Sequence, residues 1–254
     1  METLGTAAII AVAVLVGTVL QRISGSGVGL VVAPVLSLII GPALGVLVTN
    51  MTTTVSGLLI MLAVWPRIEW RRYWVIGPLA VAGAIPGAWL VAQLSAGWLS
   101  IILGSIVVLA LLLTVSLPRL PRWEGRAPGL LAGVVGGFFN TTSGVAAPVM
   151  VIYARVSGWG QQSFAATMQP IFMTMGAASV VAKLSMGSVG DAAAEGLHLP
   201  WLFAGIVAVV LLGILAGGLL AKVVSASAAR TLALTLAGLG GLGAIIRGVI
   251  DVTL

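Results

Sequence analysis

The chain has 254 residues, of which 60% are hydrophobic and only 7% charged, with a mean hydropathy of +1.21. A soluble core does not need so much apolar sequence, and no polar run is long enough for a separate soluble domain, so the chain reads as a multispanning integral membrane protein. The net charge of +6 comes from 12 Lys and Arg against 6 Asp and Glu; most of the bases sit in short loops, which signals membrane orientation and not nucleic acid, and the lack of cysteine excludes disulfide, thiolate and zinc–cysteine chemistry.

The N-terminal stretch METLGTAAIIAVAV opens with an acid and has no basic run, so it is expected to be the first membrane segment and not a cleaved signal peptide. Apolar segments fall at about 4–22, 28–40, 43–64, 73–93 and 97–117. After the polar stretch PRLPRWEGR (118–126) they resume at about 127–139, 144–157, 164–185, 200–223 and 228–250. Three of these, 28–40, 127–139 and 144–157, are shorter than the roughly 20 residues that a full crossing needs.

The first short segment follows a break. QRISGSGVGLVVAP, Gln21 to Pro34, places a charge, an amide, two serines, three glycines and a proline inside apolar sequence. Irregular backbone at membrane depth must be buried in protein or line a wet cavity. A second break comes after the central loop, where Asn140, Thr141, Thr142 and Ser143 are expected to precede a short helix near Gly144. GLVVAPVL (29–36) resembles GVAAPVM (144–150), and GAIPGAWLVAQLSA (83–96) aligns without gaps on GILAGGLLAKVVSA (213–226). In that pair Gly83, Gly87, Leu90, Ser95 and Ala96 match Gly213, Gly217, Leu220, Ser225 and Ala226, and the G-x-x-x-G spacing lets another helix pack closely.

Charge orients the two halves. PRIEWRR (66–72) carries +2, whereas the corresponding MGSVGDAAAEGLHL (186–199) carries −2. The next loop, near Gln93–Trp98, is uncharged, and its counterpart holds Lys222 and Arg230. With basic loops in the cytoplasm, one half is upside down relative to the other. The expected fold is all-α: two inverted-topology repeats, 1–117 and 127–254, joined by a cytoplasmic linker at 118–126. Each repeat has a broken or re-entrant helical hairpin (roughly 4–40 and 127–157) and three transmembrane helices. Eight full spans in two parallel sets of four is the rival.

Paired broken helices are a device of secondary transporters, whose helix ends offer unpaired N–H groups and a positive dipole to an anion. The candidate ligand residues are Ser24, Ser26 and Gly27 at the first break and Asn140, Thr141, Thr142 and Ser143 at the second. Asn50 and Gln169 join them from the helices that follow. Thr49, Thr52, Thr53 and Thr167 have the same opportunity, though threonine also bonds back to its own helix turn. Arg22 is the sharpest candidate: if the first segment descends to a hairpin tip, its guanidinium lies inside the membrane as an anion ligand. The alternative is a first helix that ends at the surface, with Arg22 among the headgroups. Arg155 is expected at the interface, and Lys183 is expected to snorkel out of its span. Trp65, Trp70, Trp74, Trp98, Trp123, Trp159 and Trp201 read as an aromatic belt. His198 is the single histidine, so a His-based metal site or triad is not expected. GSGVG lacks the setting of a dinucleotide site, and no acid lies mid-span to serve a proton relay.

SGSGVGLVVAPVL and GGFFNTTSGVAAPVMVIY, each followed by a Thr-containing helix, resemble the TauE/SafE family of sulfite and organosulfonate exporters, and QRISG and FAATMQP resemble a bacterial branch of it. The resemblance spans nearly the whole chain. It has one departure: where the wider family pattern often carries an Arg, this chain has Ala165, so either Arg22 takes that role or the substrate differs. The resemblance implies a multi-pass protein of the bacterial inner membrane that exports a small sulfur oxyanion or sulfonate, with no enzymatic activity and no cofactor. A passive anion channel is the alternative, and a membrane scaffold or enzyme subunit is the third reading. The expected partners are the small anion and the lipid bilayer, with a homodimer as a further candidate.

Overall fold

The computed structural model describes residues 2–25, 28–116, 121–123, 125–189 and 198–254. Those residues form ten α-helices: α1 Glu2–Ser24, α2 Val28–Ile40, α3 Pro42–Val64, α4 Trp70–Gln93, α5 Ala96–Ser116, α6 Ala127–Ser143, α7 Ala147–Val156, α8 Gln161–Ser185, α9 Leu199–Leu220 and α10 Ala226–Thr253. Seven of the described helices, α1, α3, α4, α5, α8, α9 and α10, are long and apolar enough to cross a membrane. The chain is an all-α integral membrane protein. α2, α6 and α7 are the short ones, with 13, 17 and 10 residues.

Glycine and proline set the boundaries. Prolines stand in the first turn of α3, α6, α7 and α9, where a missing N–H costs nothing. Gly25 and Gly144 take left-handed backbone (φ 80° and 74°) directly after α1 and α6.

The helices of one half pack against those of the other. α3 runs antiparallel to α8: Gly57 meets Gln169 and Met173, and Gly176 meets Asn50 and Thr54. α5 and α10 pair in the same sense, with Gly97 on Gly248 and Gly104 on Gly241. The aligned G-x-x-x-G helices make the other two cross-contacts. Gly83 and Gly87 of α4 admit Val134 and Thr141 of α6, while Gly213 and Gly217 of α9 admit Thr18 and Arg22 of α1. In both of these pairs the helices run parallel.

These pairings sort the loops. The turn at 65–69 touches the start of α8 through Thr167, and Trp123 bonds Val156. A single cavity brings Gln161 of α8 next to Arg230 of α10. PRIEWRR, the described part of the central loop and the α9–α10 connection therefore share one end of the bundle, here the basic end. α6 enters from this end and α7 returns to it. α2 begins partway across: Pro34 packs on Gly240 of α10, which places Val28 roughly 12 Å along α10 from its start at 1.5 Å per residue.

Candidate functional site

The two helix breaks meet inside the bundle. Gly29, in the first turn of α2, lies so close to Gly144 that any Cβ on it would overlap the Gly144 carbonyl oxygen. Around this contact the chain ends α1 and α6 in the same way. Gln21-x-x-Ser24-Gly25 and Asn140-x-x-Ser143-Gly144 each close with a bond from the glycine N–H to the amide residue's carbonyl, at 2.8 and 2.9 Å. The two amide side chains then cross between halves. Gln21 Nε2 donates to Gln169 Oε1 of α8 at 3.4 Å, and Asn140 Nδ2 donates to Asn50 Oδ1 of α3 at 3.2 Å. Asn50 and Gln169 are each the ninth residue of their helix. Asn140 also donates to Ser179 at 3.1 Å. All five side chains are buried, yet Gln21 Oε1 and Asn50 Nδ2 have no hydrogen-bond partner among the described residues.

A cavity of about 20 Å³ lies at this meeting point, lined by Gln21, Asn140, Thr53, Gly29 and Gly144. That is room for about one water. Ala147 and Phe172 line it as well, and they also line a much larger cavity, 470 Å³, that extends to the basic end. Arg155 and Arg230 line this vestibule, and no acid does among the described residues. Ala165 faces it, beside Gly25.

The structure rearranges several sequence expectations. Asn140–Ser143 precede α7 but are the helical last turn of α6 and not part of the irregular break, and the three hydroxyls among them bond back to their own helix. Thr141 donates to Gly137 O, Thr142 to Phe138 O and Ser143 to Phe139 O, at 2.7–3.0 Å. Ser24 likewise donates to Leu20 O at 2.7 Å. These bonds to the helix shape the break, while Ser24 also lines the larger cavity and the Thr141 hydroxyl lies 2.6 Å from that of Ser179. Thr49, Thr52 and Thr53 bond back in the same way. Ser26 and Gly27 lie outside the described residues.

Arg22 is exposed and stands against Gly217, one turn from the end of α9. The reason is length: 23 residues of α1 make about 35 Å, so the helix reaches the basic end and carries Arg22 with it. The vestibule takes its positive charge from Arg155 and Arg230 instead. Lys183 does not snorkel but is fully buried. Trp159 is buried too and leaves the aromatic belt for a clamp at the basic end. Its indole N–H donates to Glu69 Oε1 at 2.9 Å, and Arg72 donates to Glu69 Oε2 at 2.9 Å while lying 4.7 Å from the Trp159 ring centre. Partial burial works to raise the Glu69 carboxyl, but hydrogen bonds from Ser163 and Trp159 and the nearby Arg72 guanidinium outweigh it and hold the group below the usual carboxylate range.

Sequence reasoning passed over Gln21, Ser179 and Arg230. The match of QRISG to NTTSG was available and marks Gln21 as the counterpart of Asn140 in the other half. Ser179 and Arg230 join the site through helix packing that no local pattern carries.

No curated protein and no solved structure matches the chain significantly. The family model described as sulfite exporter TauE/SafE matches residues 9–244, nearly the full length. TauE/SafE is a family of membrane transporters and not of enzymes, and this chain belongs to it.

Proposed function

We propose that the chain exports a small sulfur oxyanion, sulfite or a simple sulfonate, across a bacterial inner membrane by alternating access. The observation that carries this reading is the pair of crossed amide contacts around the meeting of two helix breaks. Amide N–H groups and the N-terminal N–H groups of α2 and α7 suit an oxyanion, and no carboxylate among the lining residues repels one. Asn50 Nδ2, buried and unpartnered, is a donor in waiting. With the basic end in the cytoplasm, Arg155 and Arg230 draw anions into the vestibule. An Arg at position 165, the feature common in the wider family pattern, would face the same space; here these two arginines supply the charge.

The sizes of the two cavities support alternating access. The vestibule is wide, but the space at the tips holds about one water, so an anion binds there only as the tips part. The cross-packing of α4 on α6 and α9 on α1 suits two repeats of inverted topology that exchange roles as one gate opens and the other closes. Purified protein in proteoliposomes, loaded with sulfite or a sulfonate and challenged with labelled anion outside, tests this. Saturable counterflow is the expected result. Linear flux without counterflow would mean a pore, and no flux of either anion would remove the substrate class.

A further inference from the structure

We propose that Lys183 is a second anion-binding station, on the far side of the helix tips from the vestibule, where the exported anion is held before release. This rests on the export reading above and adds a step to it. Lys183 is fully buried in the last turn of α8, and its Nζ has no hydrogen-bond partner and no ion pair among the described residues. It stands one helical turn beyond Ser179 on the same face. Ser179 is bonded to Asn140, and its hydroxyl is 2.6 Å from that of Thr141. The lysine therefore continues the polar column that starts at Gln21 and Gln169 and runs through Asn50, Asn140 and Ser179, away from the basic end. Just past it, Ser188 donates to Ala88 O at 2.9 Å and ties the α8 end to α4.

A lysine so close to a helix end has an easy route to water, because its stem is long and flexible. Burying its ammonium without a partner is strongly unfavourable, so it holds its charge there only when a counter-charge arrives. In a protein whose cargo is an anion, the cargo supplies that charge. Anions passing the tips leave the neutral amide donors for a full positive charge, which draws them onward, and release follows when the α8 end opens. The polar column has a cation at each end, Arg155 and Arg230 at one and Lys183 at the other, with amides between.

The chain has no cysteine, so Lys183→Cys introduces a unique thiol. Lys183→Cys and Lys183→Met should fold and keep sulfite-dependent thermal stabilisation, since binding at the tips is intact, while export falls roughly tenfold or more. Reaction of the thiol with aminoethyl methanethiosulfonate, from the side opposite the basic end during turnover, restores an ammonium and should restore export. The sulfonatoethyl reagent should not; both reactions and the recovery are read with a sulfonate as cargo, because sulfite cleaves the reagents and the mixed disulfide, and the sulfonate should slow both reactions. Wild-type export by Lys183→Met, a thiol that never reacts, or no recovery after aminoethylation would each overturn the station. So would an equal loss of export in Asp191→Asn or Glu195→Gln, which would make Lys183 half of an ion pair. If the wild-type protein neither binds nor moves sulfite or a sulfonate, the export reading itself falls and takes the station with it.

Discussion

Gln21 and Asn140 hold matching places in the two halves, three residues before matching serines and four before matching left-handed glycines, yet their surroundings differ. Asn140 is tightly held: it reaches Asn50 at 3.2 Å and Ser179 at 3.1 Å. Gln21 makes one long contact, 3.4 Å to Gln169, and leaves its own oxygen unpaired in a buried site. The crowding follows the same division. A Cβ on Gly144 would lie 2.8 Å from the Ala33 Cβ and 3.2 Å from Thr49 Cγ2, whereas one on Gly25 would meet nothing among the described residues nearer than the Ala165 Cβ at 3.9 Å. The second break is a packed fixture, and the first borders the open vestibule. A transporter needs both: a rigid wall that fixes geometry and a loose wall that can part.

The sharpest way to break this comparison is at the contact itself. Gly29→Val would force the α2 start off the Gly144 carbonyl and separate the tips, so export should be abolished and the melting temperature should fall steeply in a detergent melt. Next, Gly144→Ala and Gly25→Ala carry the same left-handed strain, about 1–2 kcal/mol. Only the first adds overpacking, about 1–3 kcal/mol more. Equal losses of stability would show that the two breaks are equally loose.

The amides give the next largest effect. Asn140→Ala strands Asn50 Oδ1 and removes a donor from Ser179, at about 1–3 kcal/mol for a buried group left unpaired. Gln21→Ala strands Gln169 Oε1 as well, but it gives up a longer bond and an oxygen already unpaired among the described residues, so its stability cost should lie near the lower end of that range, about 1 kcal/mol. Both should weaken anion binding. Thermal melts with and without sulfite separate the two quantities, and a Gln21→Ala protein as unstable as Asn140→Ala would refute the division into rigid and loose walls.

Around the vestibule the expected effects are smaller. Arg155→Gln and Arg230→Gln should each raise the half-saturating anion concentration roughly tenfold or less, an effect that fades as salt screens the field. Arg22→Gln should leave it unchanged, because the side chain lies against α9 and does not line the vestibule. A selective loss in Arg22→Gln would return that residue to the anion path.

These residues also show what could be read from sequence. The ten apolar stretches, the short pieces and the two breaks were legible because a bilayer imposes length and glycine–proline punctuation imposes ends. That Asn50, Asn140 and Gln169 would be buried and hydrogen-bonded was legible because an amide in apolar surroundings needs a partner. Arg22 misled because its depth depends on where α1 ends, and a helix boundary two residues later puts a side chain on another face and nearer the surface. Lys183 misled in the opposite sense: proximity to a helix end suggested water, while the fold closed over it. Arg230 lines the vestibule only because α10 starts beside α8, which is tertiary information.

The smallest expected effect concerns how each hairpin is fastened. At the basic end, Glu69 holds the turn after α7 through Trp159, and its main-chain N–H donates to Thr167 at 2.9 Å. At the other end, Arg247 donates to the Leu38 carbonyl near the end of α2, and its exposed 3.8 Å contact with Asp251 is too wet to add much. A backbone carbonyl does not titrate and a carboxylate does. Because the folded protein holds Glu69 below its ordinary value of 4.5, its contribution is present above that value and is lost as the pH falls through the lowered one. The Glu69 side chain is 40% exposed, so solvent screens much of the effect. Wild-type protein should melt slightly higher than Glu69→Gln at neutral pH, and the gap should close as the pH falls below the ordinary value of 4.5 and on through the lowered one. Arg247→Gln should lower the melting temperature by an amount that stays constant over the same range. If the Glu69→Gln gap is also constant with pH, the carboxylate is not what fastens the second hairpin, and the clamp reduces to the packing of Trp159 and the main-chain bond to Thr167.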